Sequence, residues 1–221
     1  MTTDLVAVIP VRKGSQRVKN KNFKKFSNKN LLYYKIISLK KIKSLKKIIV
    51  NTDSEEAIKI AKSLKVDYFK REEYFASSKC SNSEFWKNVA DKTRCEYIMF
   101  TNCTSPLVKV QTYEKLIKIF KKNKNKFDSF NTVTRVNEYL YLKKKPLNFS
   151  PSKTPNSQNL KDILKLNFAI NIISKEKMSN LKSIIGKKPF LYELDELEGF
   201  DIDTKLQFEF ANFIFDKKKN K

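Results

Sequence analysis

Val6-Ala7-Val8-Ile9-Pro10-Val11-Arg12-Lys13-Gly14-Ser15-Gln16-Arg17-Val18-Lys19-Asn20-Lys21-Asn22 joins an apolar run to a loop with one glycine, one serine, two arginines and several lysines. Leu5–Ile9 reads as a buried strand. A strand that ends in this much positive charge is suited to hold polyphosphate: backbone N–H groups in such a turn point at an anion, and the cations neutralise it. Arg12 can fork two N–H bonds onto a phosphate, and Lys21 adds a mobile point charge. Gly14 permits a positive φ or close approach of a ligand to the backbone. A solvated basic turn is the plainer reading of the same residues. The loop is neither a GxxxxGK[ST] P-loop nor a GxGxxG turn.

Outward from this loop, strands and helices alternate. Asn30–Ile42 carries Leu32, Ile36, Ile37 and Leu39 at helical spacing. Lys47–Val50 is a second strand, closed by Asn51-Thr52-Asp53; Ser54 then caps a helix to Leu64, with Glu55 and Glu56 in its first turn. Val66–Phe69 is a third strand, and Ser81-Asn82-Ser83-Glu84 has capping-box spacing for a helix to about Asp91. Tyr97–Thr101 is a fourth strand, Val110–Lys122 a helix, and Ser129–Val136 is β-rich. The pattern resumes with Phe168–Ile173, a helix from Lys175, a strand at Phe190–Glu193 and a last helix to Phe215. Such alternation predicts right-handed βαβ units: an α/β, Rossmann-like, doubly wound and mostly parallel sheet. Ligands of such sheets bind beyond the carboxyl ends of the strands, so the loops after Ile9, Val50 and Thr101 are expected to meet at one site. Between Asn137 and about Leu166 no clean period survives, and three prolines intervene. We expect one domain over residues 1–221, with 137–166 an excursion from its core.

Composition narrows the chemistry. The chain of 221 residues contains no histidine, which removes Ser–His and Cys–His catalysis, His-ligated zinc and His general bases. Cys80, Cys95 and Cys103 lack metal-like spacing and, with no signal-peptide pattern, fit a reducing cytoplasm. No apolar run is long enough to span a bilayer. The net charge is +24, yet only five of the 47 basic residues are arginine, and lysine is spread along the whole chain with abundant Asn, Ile and Phe. That dispersal points to coding bias rather than to a nucleic-acid face, and no nucleic-acid partner is expected.

Three further stretches carry polar chemistry. Asp201-Ile202-Asp203 sets two carboxylates one residue apart, on the same side of an extended segment, with Gly199 before them and Thr204 after. A hard cation between them relieves their repulsion, and Mg²⁺ favours one or two carboxylates completed by substrate phosphates and water. N-capping of the last helix by Asp203 or Thr204 is the equal alternative. Asn102-Cys103-Thr104-Ser105-Pro106-Leu107 follows a strand; Asn102 could orient a polar substrate, although a Ser-Pro turn explains the stretch alone. Arg71, Ser77, Ser81 and Asn82 precede a helix N-terminus and could meet a phosphate or a base edge, with capping the simpler role.

Taken together, these residues resemble the cytidylyltransferases that activate acidic sugars, the acylneuraminate (CMP-sialic acid) synthetases and their Kdo-specific cousins. The family opens with A-R-x-G-S-K-x-[IL]-P-x-K-N. Val11–Asn22 aligns with it without gaps: Arg12, Gly14, Ser15, Lys21 and Asn22 match, Val18 is a conservative change, Gln16 replaces lysine and Lys19 replaces proline. I-V-S-T-D resembles Ile49–Asp53, R-P-x-x-[LF]-A-[ST] resembles Arg71–Ser77, Q-P-T-S-P-L resembles Asn102–Leu107, and D-I-D-T is present as Asp201–Thr204. The resemblance implies a sheet of the nucleotide-diphospho-sugar transferase type, and a reaction in which CTP and an acidic sugar yield a CMP-sugar and pyrophosphate with Mg²⁺. It implies nucleotide contacts from Arg12, Gly14, Ser15, Lys21, Asn22, Arg71 and Asn82, catalytic roles for Arg12, Lys21, Asp201 and Asp203, and metal on Asp201 and Asp203. It also implies a homodimer formed through the projecting arm 137–166. Sialic-acid binders carry R-x-N-G-[AS]-I-Y, and here Lys165-Leu166-Asn167-Phe168-Ala169-Ile170-Asn171 stands in its place, with Asn167 and Ala169 matching. Asn102, Lys165 and Asn167 are the implied acceptor residues, and Phe168 in place of glycine is expected to narrow that pocket. A nonulosonate acceptor follows, with Kdo or a phosphonate, or a non-catalytic nucleotide- or nucleic-acid-binding protein, as alternatives.

Overall fold

The computed structural model describes residues 4–15 and 17–219. Nine strands and seven helices follow in chain order among them. The strands are β1 (Leu5–Val11), β2 (Lys47–Thr52), β3 (Asp67–Lys70), β4 (Tyr97–Phe100), β5 (Ser129–Arg135), β6 (Tyr141–Leu142), β7 (Lys145–Pro146), β8 (Leu164–Ser174) and β9 (Pro189–Glu193). The helices are α1 (Leu31–Lys40), α2 (Glu55–Ser63), α3 (Glu73–Ala76), α4 (Asn82–Lys92), α5 (Val110–Asn123), α6 (Lys175–Leu181) and α7 (Lys205–Lys219). Seven strands form one sheet in the order β3-β2-β1-β4-β8-β5-β9. β3, β2, β1 and β4 are parallel, and β5 with β9 is parallel, whereas β8 runs antiparallel to both of its neighbours.

β1 is buried on both faces, which its unbroken apolar run requires. Leu5, Ala7, Ile9 and Val11 enter one core with residues of α1, α2, α5 and α7. Val6 and Val8 enter a second core, on the other face, with Val89 and Ala90 of α4 and Met178 of α6. This two-sided cover is the doubly wound architecture expected from the alternation. The capping residues act as read: Asn30 accepts from Tyr33 N–H, Ser54 from Ala57 N–H, and Ser81 and Glu84 close a reciprocal capping box at α4.

The segment 137–163 leaves the sheet as a small hairpin, β6 against β7, and a loop with one 3-10 turn at Ser157–Asn159. Buried Asn148 ties its base, donating to Glu138 C=O and accepting from Leu140 N–H, both at 2.8 Å. The sheet is rejoined at Leu164, earlier than the Phe168 expected, because Leu164, Lys165 and Leu166 pair with Arg135, Thr134 and Val133.

Within β8 the register slips opposite Asn131/Val133, and Phe168 there takes φ +56°. That is the left-handed region, which costs a residue bearing a Cβ on the order of 1 kcal/mol or more. It also explains why the similar motif has glycine at this point. Phe168→Gly is therefore expected to melt within about 5 °C of wild type, the relieved strain offsetting the lost ring burial. Phe168→Val, β-branched at positive φ, is expected to melt well below both. Equal melting of the two variants would show that the backbone stores no strain there.

Candidate functional site

β1 has its parallel neighbours β2 and β4 on opposite sides, so the β1/β4 crevice is where the winding direction reverses. An open cavity of about 480 Å³ lies there, beyond the carboxyl ends of the strands. The loop after β1 supplies Arg12, Ser15, Arg17, Lys21 and Asn22 to its lining; the loop after β4 supplies Asn102, Cys103 and Thr104; Arg71 and Asn82 come from the β3–α4 segment, and Asp201 and Asp203 from the approach to α7. The end of β2 and the loop after it brace this set without lining the cavity. Asp53 accepts from Lys13 N–H at 2.8 Å, and Asn51 holds Arg71 through its side chain at 2.7 Å and its carbonyl at 2.9 Å.

The guanidinium of Arg71 also sits 4.2 Å from the ring centre of Phe85. Burial lowers its pKa to about 10, so it remains a cation at neutral pH. Gly14 has φ +77°, the conformation for which glycine was expected, with no atom within 4 Å of where a Cβ would lie.

At the other wall, Ile202 is fully buried, so the carboxylates on either side of it are set toward the cavity. Ile202 N–H donates to Thr104 C=O at 2.9 Å, and Lys21 Nζ donates to Ile202 C=O. Of the two possible caps, Thr204 is the one used. Its hydroxyl accepts from Gln207 N–H, and Gln207 Oε1 accepts from the N–H groups of Thr204 and Asp203. The Asp203 carboxylate is left to pair with Arg17 at 2.8 Å and Lys21 at 3.5 Å. Asp201 Oδ1 is buried and has no hydrogen-bond partner, and burial raises the pKa of this carboxyl against a hydrogen bond from Thr104 and the charge of Lys21. Burial is likewise the main cause of a lowered Lys21 pKa, opposed by Asp203 and Asp201. An orphaned carboxylate oxygen beside a second carboxylate is a hard-oxygen donor set, and it fits a magnesium ion.

Not every candidate reaches the cavity. Gly14 shapes the loop without lining the cavity. Asn167 is buried with its amide consumed: its oxygen accepts from Thr132 Oγ1 at 2.6 Å and its nitrogen donates to Thr134 Oγ1 at 2.9 Å. A Cβ on Gly199 would lie 2.1 Å from Thr134 Oγ1 and 3.0 Å from Asn167 Nδ2, so this pair packs closely against the segment that leads to Asp201. Lys165 is exposed on β8 and lies outside the lining.

Two residues escaped the reading of the sequence. Arg17 was one more cation in a basic loop. Lys35, at a helix position that reads as solvated, is buried and donates to Tyr113 Oη at 2.6 Å and Ser105 C=O at 3.0 Å, fastening the loop that carries Asn102 to Thr104. Its only sequence signal is a position flush with the apolar stripe of α1.

A doubly wound sheet with a cationic cavity at its switch point, facing two carboxylates, is an architecture for handling nucleotides. The sequence pattern of the cytidylyltransferase family matches residues 6–219, and the chain belongs to that family. It is 30% identical to an N-acylneuraminate cytidylyltransferase of Escherichia coli, over 99% of this chain but only 54% of that longer protein. It is 26% identical to a CMP-N,N'-diacetyllegionaminic acid synthase of Campylobacter jejuni, over 97% of this chain and 96% of that one. Among solved structures, a CMP:2-keto-3-deoxy-manno-octonic acid synthetase complexed with CTP shares the fold, with a TM-score of 0.71 at 13% identity, over 98% of this chain and all of the other. No helix among the described residues is long and apolar enough to cross a membrane.

Proposed function

We propose that this protein transfers CMP from CTP to an acidic sugar, a nonulosonate of the sialic or legionaminic type, with release of pyrophosphate. One observation carries the reading: Arg12, Arg17, Lys21 and Arg71 line the same cavity as Asp201 and Asp203, the carboxylates facing the cations that suit a triphosphate. The curated relatives named above support the choice of donor and acceptor. In the reaction, an acceptor hydroxyl oxygen bonds to the α-phosphorus as the bond to the pyrophosphate oxygen breaks, so catalysis is alignment and charge neutralisation. Arg12 clamps phosphate oxygens. Lys21, anchored on Ile202 C=O, places a fixed ammonium beside them. Arg71, locked by Asn51, forms the wall near the nucleotide. Asn82, Ser15 and Asn22 offer polar contacts to base, ribose or phosphate, and Asn102 faces the acceptor side. Asp201 and Asp203 would hold Mg²⁺, which when bound supplies Lewis-acid charge to the phosphates and lowers the pKa of an attacking hydroxyl.

The test is pyrophosphate release from CTP and Mg²⁺ against N-acetylneuraminate, legionaminate, pseudaminate, Kdo and 2-aminoethylphosphonate. Release with a nonulosonate is the expected result. Release with the phosphonate or Kdo alone would move the acceptor, and Phe168 on the cavity wall is the observation that favours this second reading. CTP binding without release from any acceptor would leave a nucleotide-binding protein.

The arm supports a homodimer as part of the same reading. Tyr139, Tyr141, Leu142 and Leu147 are 43%, 62%, 60% and 45% exposed, a cluster of apolar surface that a second copy would cover. Tyr141→Asp combined with Leu142→Asp is expected to turn a dimer into a monomer in light scattering. A dimer that survives both charges would exclude the arm as its interface.

A further inference from the structure

Arg17 is an exposed residue of the loop after β1. Its side chain is 70% exposed, yet it reaches 2.8 Å from Asp203, whose own side chain is 38% exposed. Lys21 also approaches Asp203, but it is only 11% exposed and is tied to Ile202 C=O, so it cannot leave. Arg17 carries no such anchor among the contacts of the described residues. The sequence adds a second observation. Gln16 stands where the similar motif has lysine and Lys19 where it has proline, while Arg17 occupies a position that the motif leaves open.

We infer that Arg17 is a charge-exchange residue, which covers the Asp203 carboxylate while the cavity is empty and releases it to a divalent cation when a triphosphate draws the guanidinium away. The inference rests on the reading of the cavity as a CTP site. The energetics favour the exchange. An exposed ion pair such as Arg17–Asp203 contributes little, so breaking it costs little. A triphosphate offers the guanidinium several charged oxygens for a bidentate grip, in place of the single Asp203 oxygen it meets here. Asp203, stripped of Arg17 but still beside Lys21, then becomes a ligand for a cation that arrives with the phosphates. The consequence is an order of events: without nucleotide, Arg17 competes with the metal for one carboxylate; with nucleotide, both cations have their own partners.

The experiment titrates nucleotide-free protein with Mn²⁺ and follows free metal by electron paramagnetic resonance, in wild type, Arg17→Gln, and Arg17→Gln combined with Asp203→Asn. Arg17→Gln is expected to bind Mn²⁺ about tenfold more tightly than wild type, and the double variant to lose the gain. In parallel, calorimetry in EDTA is expected to show CTP binding about tenfold weaker in Arg17→Gln. A purely structural arginine would weaken both ligands on removal, so tighter Mn²⁺ is a signature such a role does not give. Unchanged Mn²⁺ affinity, or a gain that persists in the double variant, overturns the exchange. The nucleotide reading fails separately, on absence of CTP binding by the wild type, because the Mn²⁺ titration contains no nucleotide.

Discussion

Asp201→Asn is expected to lower turnover at least about 100-fold and, at the same time, to raise the melting temperature. The two effects share one cause. Asp201 is half-buried beside the fully buried Ile202, and one of its carboxylate oxygens is buried with no hydrogen-bond partner. Burial raises its pKa above the ordinary 3.8. A carboxyl with a raised folded-state pKa stabilises the fold in its protonated form, below the unfolded value, and that contribution is lost as pH rises through the folded value. At neutral pH the wild type therefore carries a destabilising ionised group, and asparagine removes the charge. The expected gain is a rise of a few degrees in melting temperature, at roughly 2–4 °C per kcal/mol for a chain of this length. It closes as the pH falls through the raised pKa toward 3.8, where the carboxyl is neutral in both states. Thermal melts at pH 7 and pH 4, beside pyrophosphate release at pH 7, check both halves. A variant with full turnover would remove Asp201 from the site, and one with lower stability at pH 7 would mean that the carboxylate is held by partners in solution.

Lys21→Met is expected to reduce kcat/KM for CTP by about 10²–10³, with a melting temperature close to wild type. The lysine stem is mostly buried and methionine fills similar space, so packing survives while the charge does not. Its ammonium bridges the two halves of the site, since it stands on the loop after β1 and bonds the chain between Asp201 and Asp203. Removing it leaves Asp203 to Arg17 and takes away a cation that is already largely desolvated, which costs more than removing a fully solvated one. Lys21→Arg is expected not to rescue, because the planar fork does not fit a slot shaped for a point charge on a single carbonyl. A loss below tenfold with the fold intact would make Lys21 a brace for the 201–203 segment rather than a ligand for phosphate.

Much of this site was legible in the chain before its folding. The loop Arg12–Asn22 advertises itself because apolar residues stop where cations begin. The helix starts at Ser54 and Ser81 are local hydrogen-bond patterns, which survive in any tertiary setting. The pair Asp201/Asp203 was visible, but not the choice between capping and site. In the fold Gln207 and Thr204 close the cap, and the Asp203 carboxylate pairs with Arg17 and Lys21 instead. The positions of Lys165 and Asn167 depend on the register of β8, which the sequence does not state. One bulge at Phe168 turns Asn167 into the sheet, where Thr132 and Thr134 consume its amide.

The sequence by itself determined the alternation of strands and helices, the two-sided burial of β1, the caps and the chemistry of the first loop. These depend on residue periodicity and on contacts a few positions apart. Only the tertiary structure decided that β8 runs antiparallel between β4 and β5, that Lys35 is buried under the Asn102–Thr104 loop, and that Arg17 faces Asp203 across 186 positions of chain. Strand order and long-range charge pairing are set by which surfaces remain to be covered once the local elements exist, and no local pattern encodes that.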